Sequence, residues 1–272
     1  MMLITVLCCA LLSPSTQPTT NHADWKLVWS DEFDHDGAPD PAKWACETGF
    51  IRNQEKQFYT VDRRENARVE DGNLIIEARR ETFDDPRHPD RHAEYTSASL
   101  ETRGKAEWKY ARVEVRAKIP AGNGMWPAIW MLPNSIRKVG WPACGEIDIM
   151  ENVGFESGVI HGSVHTKSYN HVIHTEKTSH VRIEKPEETY HVYAIEWDEA
   201  KIDFFVDDQK YFTFNDEGEG PDKWPFDQPF FLKLNSAVGG SWGGQKGIDD
   251  SVFPQKFYVD YVRVYQRAAP EK

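Results

Sequence analysis

Apolar and polar residues alternate with period two along most of the chain, and this restricts the fold more than any other feature. Over residues 112–119, Val113, Val115, Ala117 and Ile119 alternate with Arg112, Glu114, Arg116 and Lys118. An extended strand sends these two sets to opposite faces, one toward a core and one toward water. Residues 190–197 and 201–206 repeat the pattern around a polar turn at 198–200, the signature of a hairpin. A second turn at 207–209 leads into residues 210–214, and Phe230, Leu232 and Leu234 share a face further on. Residues 256–265 form another β-rich run, and helical periodicity is confined to short stretches. With 18 Gly and 16 Pro punctuating the runs, the pattern predicts one all-β sandwich domain. At 272 residues the chain is long enough to bury a large core without disulfide staples.

The N-terminus reads differently. Residues 1–12, MMLITVLCCALL, are apolar but too short to span a bilayer, and a polar stretch follows at 13–21. That order is expected of a signal peptide over residues 1–23, although no Lys or Arg precedes the apolar run. The folded domain is then expected at 24–268, exported to the periplasm, cell surface or medium. Only Cys46 and Cys144 remain after the leader, and two free buried thiols are expected rather than a bridge. The net charge of −12 excludes nucleic acid and anionic membranes as main partners, since both need clustered cations.

The chemistry concentrates in G-E-I-D-I-M-E-N at 145–152. In a strand, Glu146 and Asp148 point one way while Ile147 and Ile149 point to the core. Glu151 falls on the wrong face by strict counting, and a bulge at Ile149–Met150 returns it to the acidic side. Four pleated steps place the two Glu backbones about 13 Å apart, so both side chains must lean inward. A pair of carboxylates about 5–5.5 Å apart is what a retaining glycosidase uses. Asp148 between them can hold a proton and split their pKa values. Two other readings exist: an edge strand with solvated acids, and a calcium site. One strand encloses a cation poorly against a shell of roughly six to eight oxygens.

The run GWPACGEIDIMENVG at 140–154 resembles the active-site strand of glycoside hydrolase family 16, particularly its laminarinase-like members. The likeness extends through WSDEF at 29–33, EDGNLIIEARR at 70–80, YTSASLETRGK at 95–105, GMWPAIWML at 124–132, HVYAIEW at 191–197, AVGGSW at 237–242 and VDYVRVYQ at 259–266. The resemblance implies a β-jelly-roll of two antiparallel sheets with an open concave cleft. It also implies Glu146 as nucleophile, Glu151 as general acid/base and Asp148 as the assisting acid.

Sugar contacts are expected from Trp126 and Trp130, which share a strand face with Ala128, and from Trp141 and Trp242. Gly239, Gly240, Gly243 and Gly244 are expected to let backbone approach the ligand. The resemblance adds His165 facing the cleft, Asn53 on sugar hydroxyls and, more weakly, Arg103. His161 and His165 are spaced like a zinc pair but lack an evident third ligand, and His171, His174 and His180 read as exposed and inert. No cofactor is implied for catalysis; a structural calcium is, held by Glu32, the backbone of Gly72 and Asp260, although the alternation of Asp260 with Val259 and Tyr261 equally fits a salt-bridge partner. The implied activity is a retaining, endo-acting hydrolysis of neutral β-1,3-glucan by a monomer. The rivals are mixed-linkage β-1,3-1,4-glucan or galactan cleavage, and a glucan-binding module without catalysis.

Overall fold

The computed structural model describes residues 24–85 and 92–268; the leader expected at 1–23 lies outside the described residues. Two sheets carry almost all of the regular structure. The seven-stranded sheet has the order Lys177–Arg182, Val159–His165, Glu146–Glu151, Met125–Pro133, Phe230–Val238, Ser99–Glu101, Ala45–Cys46. The ten-stranded sheet runs Gln209–Asn215, Lys201–Val206, His191–Trp197, Arg112–Lys118, Gln255–Arg267, Asn73–Asp84, His92–Ser97, Gln57–Tyr59. Trp25–Asp31 and Ala67–Glu70 pair off that path. Every pairing is antiparallel except that of Gln57–Tyr59 with His92–Ser97. This is the expected jelly-roll sandwich, and the helices among the described residues are one turn at Ile136–Val139 and two 3-10 turns, His171–Ile173 and Asp250–Val252.

The alternation in the sequence is what fills the core. Val113, Val115 and Ala117 from one sheet meet Ile129, Met131, Ile147, Ile149, Leu232 and Leu234 from the other, all buried in a single cluster. The other face of Arg112–Lys118 is not simply wet. Arg112 and Glu114 are themselves buried, and Arg112 pairs with Glu114 and Glu196, both at 2.7 Å. Pairing satisfies the charges that packing removes from water. The hairpin at 198–200 forms as expected: Asp198 Oδ1 accepts from the backbone N–H of Ala200 and Lys201 at 2.9 and 3.0 Å.

Two expectations change. The carboxylates assigned to calcium are held by arginines. Arg263 donates to both oxygens of Glu32 at 3.0 and 2.8 Å, and Arg116 donates to Asp260 at 2.6 Å. Asp260 is the extra residue of a bulge, because Val259 pairs with Ala117 while Tyr261 pairs with Arg116. Gly72 occupies a left-handed turn at φ 72°, between Ala67–Glu70 and Asn73–Asp84. A hard cation needs free oxygens, and here guanidinium ions already neutralise the two acids, so the Glu32 and Asp260 carboxylates are not free for calcium as they stand. Cys46 and Cys144 are free thiols, Cys144 buried but Cys46 only half so.

One glycine holds the two sheets together beneath the acidic strand. A Cβ on Gly162 would lie 2.3 Å from Tyr211 Oη and 2.9 Å from a ring carbon of Phe204. The Tyr211 phenol, from the other sheet, occupies the space this missing side chain leaves. Gly162→Ala is therefore expected to destabilise the fold by about 1–3 kcal/mol through overpacking, read as a lowered midpoint in thermal or urea unfolding. An unchanged midpoint would show that Tyr211 moves aside without cost.

Candidate active site

The site is built on the strand Glu146–Glu151, in the middle of the seven-stranded sheet. Toward Met125–Pro133, Asp148 pairs with Trp130 and Met150 with Ile129, so two steps on one strand match one on the other. Toward Val159–His165, Asp148 pairs with Ser163 and Glu151 with His161, which again absorbs one residue. Both neighbours thus record the same bulge, within Ile149–Met150. Its effect is on side-chain direction: Ile147, Ile149 and Met150 all enter the core, while Glu146, Asp148 and Glu151 all line the outer cleft.

The cleft has two lobes that share Asn53, Trp126, Glu146, Glu151 and His171. One lobe is walled by Trp130, Leu132, Ile136 and Trp141, with Arg52 and Asn235 at its polar edge. The other is polar, with His161, Ser163, His165, Glu176, Thr178 and Gln245 beside Trp242. Trp126 stands between them and donates its indole N–H to Glu151 Oε1 at 2.9 Å. Trp242 meets Trp126 edge-on at 5.7 Å.

Trp130 is held from several sides. Its indole N–H donates to Asn235 Oδ1 at 2.7 Å, Asn235 donates to Tyr59 Oη at 3.1 Å, and Tyr59 donates to Glu55 at 3.0 Å. The Arg52 guanidinium lies 5.0 Å and the Lys233 ammonium 4.9 Å from its ring. Arg52 pairs with Glu47, while Lys233 pairs with Glu47 at 2.8 Å and Glu101 at 2.7 Å. Burial would raise the Glu47 carboxyl, but Arg52 and Lys233 overcome it and hold the group at about 2.

Electrostatics distinguish the three cleft acids. Burial pushes Glu146, Asp148 and Glu151 each up to about 8. For Glu146 the Asp148 charge adds to burial while His165 and Arg52 oppose it; for Asp148 burial acts alone. The three cannot ionise together at neutral pH, and titrate as a coupled group. Glu146 keeps 15% side-chain exposure against 5% for Asp148, and Arg52 and His165 both favour its charged form.

The structure brings Asn53, Trp126, Trp130, Trp141, His165 and Trp242 to the cleft wall, around Glu146, Asp148 and Glu151. It does not bring Arg103 there. That side chain lies over Phe231 at 5.1 Å and donates to Asn134 at 3.3 Å, outside both lobes. The cation near the acids is Arg52, one residue before Asn53 and unmarked by any alternation. Two glycines of the 239–244 loop give room to Trp126. A Cβ on Gly243 would meet Trp126 Cβ at 2.8 Å, and one on Gly240 would meet its ring at 3.2 Å. His171, read as inert, folds back onto the cleft, 5.0 Å from the Trp141 ring and 5.3 Å from that of His165. A polar loop carries no period that could have signalled this return.

Residues 54–263 match the family described as Glycosyl hydrolases family 16. The chain is 51% identical over 267 residues to a beta-glucanase of Rhodothermus marinus, covering 95% of this chain and 90% of that protein. Its fold superposes on the laminarinase structure from Rhodothermus marinus with TM-score 0.85 at 52% identity, covering 90% of this chain and 98% of the other. A non-specific endo-β-1,3(4)-glucanase, SCLam, superposes with TM-score 0.86 at 48% identity, covering 90% and 92%. Agreement of this extent, over nearly the whole chain, leaves one assignment: the chain belongs to glycosyl hydrolases family 16 and is a glycoside hydrolase.

Proposed function

We propose that the enzyme cuts β-1,3-glucan internally, with retention, using Glu146 as nucleophile, Glu151 as acid/base and Asp148 as proton holder. The observation that carries this reading is the bulge, which puts both glutamates on one cleft wall between two lobes able to hold sugars on either side of the bond cut. Glu151, raised to about 8, arrives protonated and gives its proton to the glycosidic oxygen. As that bond breaks, the ionised Glu146 attacks the anomeric carbon and forms a glycosyl ester. Glu151, now a carboxylate, takes a proton from water, and the water oxygen displaces Glu146 from the sugar. Asp148, protonated and within 4.8 Å of Glu146, can steady that carboxylate with a hydrogen bond in the free enzyme and as it leaves.

A neutral substrate suits the walls. Trp126, Trp130, Trp141 and Trp242 offer faces for pyranose rings. The lining carries Glu55, Glu146, Asp148, Glu151 and Glu176 against Arg52 as its one Lys or Arg, which disfavours sulfated galactans. The relatives above are named for β-glucan cleavage, which supports the same choice. We further propose that residues 1–23 direct export, since a polysaccharide must be met outside the membrane.

A reducing-sugar assay across laminarin, lichenan, agarose and carrageenan should rank laminarin first, with a ladder of oligosaccharides as early products. Glu146→Gln should lose roughly 10³-fold or more, about 4 kcal/mol of barrier, and azide should rescue Glu146→Ala to an inverted glycosyl azide. Near-normal activity in Glu146→Gln would sink the assignment.

Trp126 tunes the acid, because its N–H favours the ionised form of Glu151. Trp126→Phe keeps an aromatic face but removes that donor, so the alkaline limb of kcat/KM should move to higher pH. A limb that stays or moves down would show that the indole does not set Glu151.

Asp148 also sets a stability profile. It stays protonated in the fold to about 8, whereas in an unfolded chain it ionises near 3.8. The folded state therefore holds more protons between these values, and stability falls as pH rises through that window. Asp148→Asn removes the titrating group, so its thermal midpoint relative to the native protein should climb from pH 4 to pH 8. A difference that is flat with pH would place the proton elsewhere.

A further inference from the structure

We propose that Glu146, Asp148 and His165 form a binding site for a borderline-soft divalent cation, of the zinc or copper kind, at the centre of the cleft. These residues each offer one donor atom, and the three atoms lie within 4.8 Å of one another; no other such group of acids, histidines and cysteines occurs among the described residues. Glu146 and His165 face each other across paired strands, and Asp148 is two residues along from Glu146 on the same face. The trio is thus fixed by sheet register rather than by mobile loops.

One donor separation already matches a small tetrahedral ion, and the others must contract onto it. Donors about 2.0–2.1 Å from zinc in a tetrahedron lie roughly 3.3–3.4 Å from one another. His165 Nε2 is 3.3 Å from Asp148 Oδ2 and 3.9 Å from Glu146 Oε1. A simple histidine–aspartate hydrogen bond does not account for this approach. Asp148 Oδ2 is buried without a hydrogen-bond partner despite lying 3.3 Å from the ring nitrogen. Asp148 Oδ2 therefore keeps its lone pairs for another partner. Asp148 and His165 are 3% and 7% exposed, so both polar ends are buried around that point.

Three donors with a fourth side open to the cleft is the arrangement of an accessible zinc site. Calcium and magnesium want six or more oxygens and are poorly served by two carboxylates and an imidazole. Nδ1 of His165 is buried and unpartnered. A metal-binding histidine that lacks an outer anchor loses roughly 10–100-fold in affinity, which places this site among weak, reversible ones. An ion here would cover the nucleophile and hold the cleft closed to sugar. The cation site stands on the cluster alone; only its competition with sugar rests on the β-1,3-glucan reading.

Calorimetric titration of zinc into the metal-free protein should give one ion per chain. His165→Asn should weaken binding at least tenfold with an unchanged thermal midpoint. Glu146→Gln, which keeps the imidazole, should weaken it as well and serves if His165→Asn does not fold. Calcium in place of zinc should bind at least 100-fold more weakly. Zinc binding of native strength in either folded variant, or calcium binding as tight as zinc, would overturn the proposal. In Glu151→Gln, which retains all three donors, saturating laminaritetraose should weaken zinc at least tenfold. Loss of zinc binding in His165→Asn together with no binding of laminaritetraose would uphold the cation site and defeat the β-1,3-glucan reading. Sugar and zinc bound independently would remove the cluster from the sugar's path and overturn its placement in the cleft.

Discussion

Everything in the cleft depends on one unpaired step in a strand. Between Asp148 and Glu151 the chain advances three residues while the Val159–His165 strand advances two. Without that step, period two would send Glu151 into the core beside Ile149, where a carboxylate has no solvent and no partner. With it, Ile149 and Met150 both face the core and the acid turns outward. The core thus gains an extra apolar side chain at the place where the surface gains an acid. Sheet register makes this placement stiff, because a shift in either neighbour would expose apolar residues and bury charged ones together.

The bulge was legible because two periodicities conflict in six letters. Ile147 and Ile149 demand a core face, and the three acids demand a common opposite face; only an extra residue reconciles them. The sandwich was legible for the same reason, as alternation over 112–119 and 190–206 matches the faces seen. What stayed hidden has no period. Arg52 and His171 come from loops, and only the chain's return path places them on the cleft. Asp260 takes the salt-bridge side of its two readings, but for a reason the sequence does not show. Its alternation with Val259 and Tyr261 breaks at a bulge that the letters do not mark, and Arg116 takes the carboxylate. At Gly240 and Gly243 the missing side chain also makes room for Trp126, a packing role the letters do not mark.

The walls of the cleft are unequal in construction. On the Trp130 side, a relay of side-chain bonds runs from the indole through Asn235 and Tyr59 to Glu55, and two cations flank the ring. On the other side, His161, Ser163 and Thr178 offer short polar ends, with Ser163 donating to Thr178 at 2.9 Å. One side presents a fixed plane to a ring face, and the other presents donors and acceptors that water can replace. Such a division favours holding one part of a chain firmly while its cleaved neighbour departs.

The charges behind Trp130 alternate in sign: Arg52, Glu47, Lys233, Glu101. Lys233 has only 2% of its side chain exposed, and Glu101 11%. Mobile ions screen charges across solvent, over about 10 Å at 0.1 M salt, but they have little access to a row packed beneath an aromatic ring. The posture of the platform is therefore decoupled from the ionic strength of the medium. A neutral polymer brings no counterions of its own, so the wall at Trp130 presents it with nearly the same face in dilute and in concentrated salt.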